Sequence, residues 1–414
     1  MMADCYHDLE TQTPQERRDH QWAEARRLVD TAWERSEEFR ERMDGAGLTP
    51  GDISGWDDWT RIPVLRKKAL LERQSKGPRL GGLLAVDFGA LSRIYQSPGP
   101  IYDPEGRGGD YWGWTEGFYA AGFRPGDLVQ MTFSYHLTPA GLMLEEPLRN
   151  LGCCVIPAGP GNTDKQIELL AELPVTGFVG MASYLRIIAD KAVKAGLDLR
   201  KDFSLRTAFV AAERLSQSLR ASLEQDLGMA VRQGYGTADL GCIAYECPEL
   251  GGMHLSSRCL VEICDPDTHE PLPEGATGEV VVTPFVDAYP LVRFATGDLS
   301  YLVTGSCACG RTSPKLGGIV GRVDDTAKVK GQFVYPGQVA QAVAGFESVE
   351  RWQVVVENPG GRDALYLDVV ANDLDEAALV AACQAVIKLR PAVRRVDSLP
   401  DDAPPLVDKR IFDD

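Results

Sequence analysis

From Asp127 to Gly236 the chain alternates short apolar runs with longer amphipathic ones, and this alternation restricts the fold more than any other feature. The runs DLVQMTF (127–133), GCCVIPA (152–158), TGFVGM (176–181), TAFVAA (207–212) and AVRQGYG (230–236) are short, apolar and bounded by turns. Between them, DKQIELLAEL (164–173), ASYLRIIADKAVKAG (182–196) and SQSLRASLEQDLG (216–228) carry apolar residues at three- and four-residue steps. Apolar strands separated by helix-length segments predict a parallel sheet with crossover helices, an α/β architecture.

Outside this block the pattern changes. Trp22, Ala25, Leu28, Val29, Ala32 and Trp33 recur at helical steps, so residues 1–86 are expected to form a helical segment packed on the large domain. Pro63 breaks the chain before a helix beginning near Arg66. After Gly241, LVEICDP and GEVVVTP read as strands of a β-rich subdomain over about 242–320. Past Arg322, WQVVVEN, ALYLDVV, DEAALVAACQAVIKL and RRVDSLP alternate strand with helix, which predicts a small α+β domain at 323–414. A chain of 414 residues exceeds one compact core, in keeping with a large domain at 87–322 and this smaller one.

The net charge of −17 opposes non-specific binding to nucleic acid, whose phosphates would repel it. No apolar run reaches the ~18–20 residues that span a bilayer. The first twenty residues are polar, so no secretion signal is expected. Ten cysteines in such a chain predict reduced thiols or a metal site rather than disulfides, and a cytoplasmic location. Cys247 and His254, with Cys307 and Cys309 about fifty residues later, supply the ligand types of a tetrahedral Cys3His zinc site. Cys242, Cys259 and Cys264 lie at the wrong spacing and are expected in the core.

Between Pro290 and Val339 come, in order, Arg293-x-x-Thr-Gly-Asp298, Cys307-x-Cys-Gly-Arg-Thr312, Gly321-Arg-x-Asp-Asp325 and Lys328-x-Lys-Gly331. This series resembles the junction of the adenylate-forming acid ligases, specifically the phenylacetate–CoA ligase-like branch. The resemblance runs from the AGLTPGDI segment near residue 47 to Lys409. It implies a large AMP-binding domain, a small mobile C-terminal domain, a homodimer, and ATP, Mg2+ and CoA as ligands. It also matches the Cys/His pattern to a structural zinc site.

The same resemblance implies roles for individual residues. Asp298 would accept hydrogen bonds from both ribose hydroxyls, a task for a carboxylate with several acceptor sites. Ala212, Glu213 and Arg214 would lie along adenine, and Tyr235 near it. Gly236, Thr237 and Asp239 would border the α-phosphate and Mg2+. Here Ala238 stands where the family carries a hydroxyl, and Asp239 where it carries Glu. Arg322 would contact ribose or phosphate oxygens, Asp324 would be the hinge, and Gly331 would let a pantetheine arm approach. Lys409 would bridge the carboxylate nucleophile and the α-phosphate. Tyr135, His136, Ser183, Tyr184 and Gly234 would line the acid pocket.

One motif departs from the family. In place of a Ser/Thr/Gly-rich phosphate loop ending in Lys, the chain reads Tyr95-Gln-Ser-Pro-Gly-Pro-Ile-Tyr-Asp-Pro104, with no lysine and two prolines flanking Gly99 that lack an N–H. Either Arg93 or Arg107 holds the phosphates, or ATP is not the substrate. The expected activity is an AMP-forming acid–CoA ligase for an aryl or small acyl carboxylate. The alternatives are an acyltransferase or condensing enzyme using a preformed adenylate or thioester, and a non-catalytic nucleotide- or acyl-binding paralogue.

Overall fold

The computed structural model describes residues 4–97, 101–323, 327–329, 332–357 and 364–410. They form two compact units: residues up to 296 with 301–318, and residues 297–300 with 319 onward. Asp324 and Gly331 lie outside the described residues.

In the first unit, the helix Pro14–Arg35 starts at a capping box. The Thr13 hydroxyl accepts from Glu16 N at 3.2 Å, while the Glu16 carboxylate accepts from Thr13 N at 2.8 Å. Proline at the first helical position loses no hydrogen bond there. Ser36 ends this helix and caps the next, Glu37–Gly45, by accepting from Phe39 N. Ala25, Leu28, Val29 and Ala32 are fully buried against Phe39, Met43, Trp59 and Ile62, and also against Leu260 and Val292 of the β-rich part. At roughly 1.5–3 kcal/mol per large apolar side chain, this contact makes the N-terminal helices an outer layer of the unit.

The central sheet has nine strands. One half is parallel, in the order Ala230–Thr237, Thr207–Val210, Gly177–Gly180, Leu128–Met131, Cys154–Pro157. Ala140–Asn150, Thr163–Glu172, Ala182–Lys194 and Gln217–Leu227 are the crossover helices. Counted along the chain this is the doubly wound order 2-1-3-4-5, whose direction reverses between Leu128–Met131 and Gly177–Gly180. Ala230–Thr237 then turns back antiparallel onto Gly241–Tyr245, and Met253–Leu255, Lys315–Leu316 and Leu302–Val303 complete the sheet. A second sheet is built from Cys259–Cys264, Gly278–Pro284 and Phe294–Ser300, with Leu65–Arg66 parallel to Phe294 and Ala295. Leu91–Ser97 and Ile101–Gly106 form a separate antiparallel hairpin.

The second unit is a four-stranded sheet, in the order Ala392–Arg395, Ala364–Ala371, Val349–Glu357, Leu406–Asp408. Helices Pro336–Val343 and Glu376–Ile387 bury Val339, Val343, Leu379 and Cys383 against Val354, Val356, Leu367 and Val369. Asp298 and Leu299 pair with Arg322 and Gly321 in this unit. Among the described residues no helix is long and apolar enough to cross a membrane.

Candidate functional site

In an open α/β sheet, ligands bind outside the carboxyl ends of the strands at the switch point. The sequence-predicted residues of the first unit gather along that edge. Tyr135 and His136 follow the strand Leu128–Met131, Ser183 and Tyr184 follow Gly177–Gly180, and Ala212 to Arg214 follow Thr207–Val210. Gly234 to Asp239 end the strand Ala230–Thr237 and make its return.

Several of these side chains hold one another. Ser183 donates to Glu213 through its N–H at 2.6 Å and its hydroxyl at 2.8 Å. Tyr135 donates to Glu145 at 2.7 Å, and burial with that bond raises its phenol pKa. Tyr184 donates to the Gly161 carbonyl at 2.8 Å, whereas His136 is exposed. Ala212 adopts a left-handed backbone (φ 69°), a strained choice for alanine of the kind that collects at ligand sites. Tyr235 reaches Thr296 at 3.5 Å, and the Thr237 hydroxyl accepts from Leu240 N at 3.3 Å, so it stabilises the return. Gly234 and Gly236 leave room for an aromatic wall. A Cβ at Gly234 would meet Phe209 at 2.4 Å and Trp114 at 2.7 Å; one at Gly236 would meet the Gly241 carbonyl at 2.2 Å.

Asp239 is buried, and Lys67 donates to its Oδ2 at 2.8 Å. Lys67 opens the helix Lys67–Lys76, and two turns later Gln74 clamps the hairpin strand Ile101–Gly106 by accepting from Tyr102 N at 2.7 Å and donating to Tyr102 O at 2.9 Å. Asp103, next along that hairpin, is 2% exposed. Burial, with the charge of Asp239 added, pushes its carboxyl up to about 8. The two arginines expected to hold phosphates, Arg93 in the hairpin and Arg107 just after it, both have partners within the fold. Arg93 is held by Glu105 at 2.5 Å and Glu146 at 2.6 Å, and Arg107 donates to the Gly89 carbonyl. Lys67 and Asp103 carried no motif in the sequence; the bond from Lys67 to Asp239 across the fold finds the one, and the burial of Asp103 finds the other.

In the second unit, Arg322 donates to Asp298 at 2.7 Å. Gly297 has φ 78°, a backbone that favours glycine, and a Cβ there would press on Arg322 Nη2 at 3.0 Å. Lys409 is exposed just past Leu406–Asp408, with its N–H donating to Val356 O at 2.8 Å. Arg293, which opens the same motif, belongs to the first unit as a buried brace. It donates to the carbonyls of Thr60, Ile62 and His269 and pairs with Glu262.

The four predicted metal ligands converge. The ligand atoms of Cys247, His254, Cys307 and Cys309 all lie within 4.8 Å of one another. Cys247 and Cys307 sulfurs are 3.6 Å apart, and Cys309 Sγ is 3.5 Å from His254 Nε2. Zinc with sulfur at ~2.3 Å and nitrogen at ~2.0–2.1 Å needs tetrahedral edges of roughly 3.5–3.8 Å, so these residues fit the ion. His254 Nδ1 lies 3.1 Å from the Ser313 carbonyl; an Nδ1–H bond there leaves the Nε2 lone pair toward the cluster. Burial lowers the His254 pKa to about 4, keeping the ring neutral and able to ligate. The loop is tied to the N-terminal segment, since buried Arg311 donates to buried Glu10 at 2.5 Å. Glu10 also accepts from Tyr245 at 3.1 Å. A pair 301 residues apart has no local sequence signature.

A doubly wound sheet with this constellation at its carboxyl edge defines an α/β protein of the kind that binds ligands at the switch point. Residues 118–284 match the AMP-binding enzyme family. A phenylacetate–coenzyme A ligase of Thermus thermophilus is 32% identical over 379 residues, 88% of this chain and 84% of that one. One of Pseudomonas putida is 30% identical over 88% of this chain and 86% of its own. A crystal structure of 2-hydroxyisobutyryl-CoA ligase in an open conformation, with 2-HIB-AMP and CoA, has the same fold (TM-score 0.88, 23% identity, 97% of this chain and 93% of that one). The chain belongs to the AMP-binding, adenylate-forming enzymes, in their phenylacetate–CoA ligase-like branch.

Proposed function

We propose that this protein is an AMP-forming acid–CoA ligase. A carboxylate attacks the α-phosphate of ATP to give an acyl adenylate and pyrophosphate, and the CoA thiol then displaces AMP. Two steps are needed because a free carboxylate has no good leaving group until it is adenylated. The observation that carries the reading is the line of Tyr135, Ser183, Glu213, Tyr235 and Asp239 along the carboxyl edge beside the switch point.

In this reading Asp298 receives the ribose hydroxyls and Ala212 to Arg214 with Tyr235 flank adenine. Gly236 and Thr237 border the α-phosphate. Arg322 contacts nucleotide oxygens, Asp324 is the pivot residue, and Gly331 faces the thiol arm. Lys409 neutralises charge as the carboxylate meets the α-phosphate. Mg2+, held through Asp239, supplies charge neutralisation on the phosphates when bound. Zinc in the Cys3His cluster is structural, because four protein ligands leave no open position for chemistry. The acid is an aryl or small acyl carboxylate, and the protein acts as a cytoplasmic homodimer.

ATP–pyrophosphate exchange across a panel of aryl and short acyl acids, with and without CoA, tests the reading. Exchange with at least one acid is expected, and Lys409→Ala removes it while sparing CoA transfer from a supplied adenylate. No exchange with any acid, alongside tight AMP binding, would sink it. A second reading, transfer from a preformed adenylate or thioester, is favoured by Ala238 and by the lysine-free hairpin. It predicts thioester formation from a supplied adenylate with no exchange.

A further inference from the structure

The residues expected to line the acid pocket do not share one face of the central sheet. Tyr135 packs against the core cluster that holds Trp114, Phe133 and Phe209, whereas Tyr184 packs against a separate cluster with Phe178, Leu185 and Val210. Gly234 and Gly236 open toward the first cluster, since a Cβ on either would run into the Trp114 ring. An acid seated beside Tyr135 and these two glycines therefore meets the indole of Trp114.

That indole closes the slot an aryl group would need. A Cβ at Gly234 would lie 2.7 Å from Trp114 Cζ3, and one at Gly236 would lie 2.6 Å from Cζ2 and 2.8 Å from Cη2. The outer edge of the ring thus runs along both glycines, in van der Waals contact with the strand Ala230–Thr237. Phe209 shuts the Gly234 end, at 2.4 Å from the same imagined Cβ. An inserted aromatic ring needs about 3.5–4 Å to the atoms on each of its faces, so it cannot enter without expelling Trp114.

The indole is held where it stands. Its own backbone N–H and that of Thr115 donate to the two oxygens of Asp110, at 3.0 and 3.1 Å. Trp114 is 3% exposed and stands edge-on to Phe209, with ring centroids 5.8 Å apart. Phe209 in turn stands edge-on to Phe118 at 5.0 Å. Aromatic layers packed this closely resist displacement, because moving one ring opens a void behind it.

We propose that Trp114 is the specificity-determining residue of the acid pocket, restricting it to short aliphatic carboxylates, of the size of propionate rather than phenylacetate. The proposal rests on the ligase reading for the place of the acid, and it narrows that reading by turning away the aryl half of the range. Size is sensed by the indole edge, which fills the face that the two side-chain-free glycines would otherwise leave open.

The test reads binding without turnover. Propionyl- and phenylacetyl-sulfamoyl adenosine, stable mimics of the two acyl adenylates, are titrated into the whole chain by calorimetry. Wild type is expected to bind the propionyl mimic about tenfold or more tightly, and Trp114→Leu to shift that ratio by a similar factor toward the phenylacetyl mimic. Trp114→Phe should shift it the same way and serves if the leucine variant does not fold, which thermal unfolding checks. Phe118→Leu, behind Phe209 in the same cluster, should lose stability yet keep the wild-type ratio, which separates pocket size from a loosened core. Equal binding of the two mimics by wild type, an unchanged ratio in the folded Trp114 variants, or the same shift in Phe118→Leu would each overturn the proposal. Binding of neither mimic would overturn it together with the reading it rests on. Propionyl selectivity with no pyrophosphate exchange for any acid would instead remove the ligase reading and leave the pocket.

Discussion

Changing Glu10 to Ala strips one partner from the Glu10–Arg311 ion pair, and both residues are about 3% exposed. The carboxylate also accepts from Tyr6 N at 2.5 Å and Tyr245 at 3.1 Å, so three kinds of donor lose it together. Removing one member of a buried pair costs about 3–5 kcal/mol, because the remaining charge stays desolvated. The loss falls first on the contact between the segment holding residues 4–12 and the cysteine loop, since a short terminal segment can open locally without global unfolding. Even 3 kcal/mol is roughly two powers of ten in the opening equilibrium. Hydrogen exchange read by mass spectrometry should therefore show peptides covering residues 4–12 exchanging about a hundredfold faster, with the helix Gln217–Leu227 unchanged. The double substitution Glu10→Met with Arg311→Met should recover most of the protection, because an apolar pair leaves no stranded charge. Unchanged exchange in Glu10→Ala, or a double variant no better than the single one, would refute the reasoning.

Purified protein should contain close to one equivalent of zinc, and a strong chelator or Cys309→Ser should lower its unfolding temperature; less than half an equivalent in metal analysis counts against the site. The His7–Glu116 pair (2.9 Å) makes docking of the N-terminal segment depend on pH. Its hydrogen bond to Glu116 holds the His7 pKa above the usual 6.5, so its contribution is complete below 6.5 and fades as pH rises through the raised value. Exchange of this segment, corrected for its intrinsic pH dependence, should accelerate as pH rises through the raised His7 value in wild type and lose that step in His7→Ala. Gly236→Ala should cost roughly 1–3 kcal/mol in urea unfolding, because the Gly241 carbonyl and the Trp114 ring occupy the space of the new methyl. A midpoint equal to wild type would show that this wall yields.

What the sequence made legible was periodic or close in the chain. The alternating runs reveal the parallel sheet because strands buried on both faces must be apolar throughout. Cys307-x-Cys309 is visible because two ligands from one turn leave a short spacing. What stayed hidden depends on contact between distant segments. Lys67 meets Asp239 from 172 residues away, and Arg311 meets Glu10 from 301. Arg293 illustrates the converse: its place at the head of a nucleotide motif is conspicuous, yet its guanidinium braces the carbonyls of Thr60 and Ile62. Arg93 and Arg107 are the only cations from residue 91 to 107, but Glu105 and Glu146 pair with the first and Gly89 O accepts from the second. Composition counts charges and is blind to which of them already have partners.

The strand Phe294–Ser300 passes from the first unit to the second within one stretch of backbone, and the chain then returns through residues 301–318 before leaving again. The passage from one unit to the other is therefore made three times, at 296/297, 300/301 and 318/319. Neither unit can be obtained by shortening the chain from one end. A fragment stopping before residue 319 keeps Asp298 and Leu299 but strands them without Arg322 and Gly321. A fragment starting at 319 lacks the residues those two must pair with. Separate expression of the halves would thus report on a broken sheet, and any dissection of their individual activities has to be made by substitution within the whole chain.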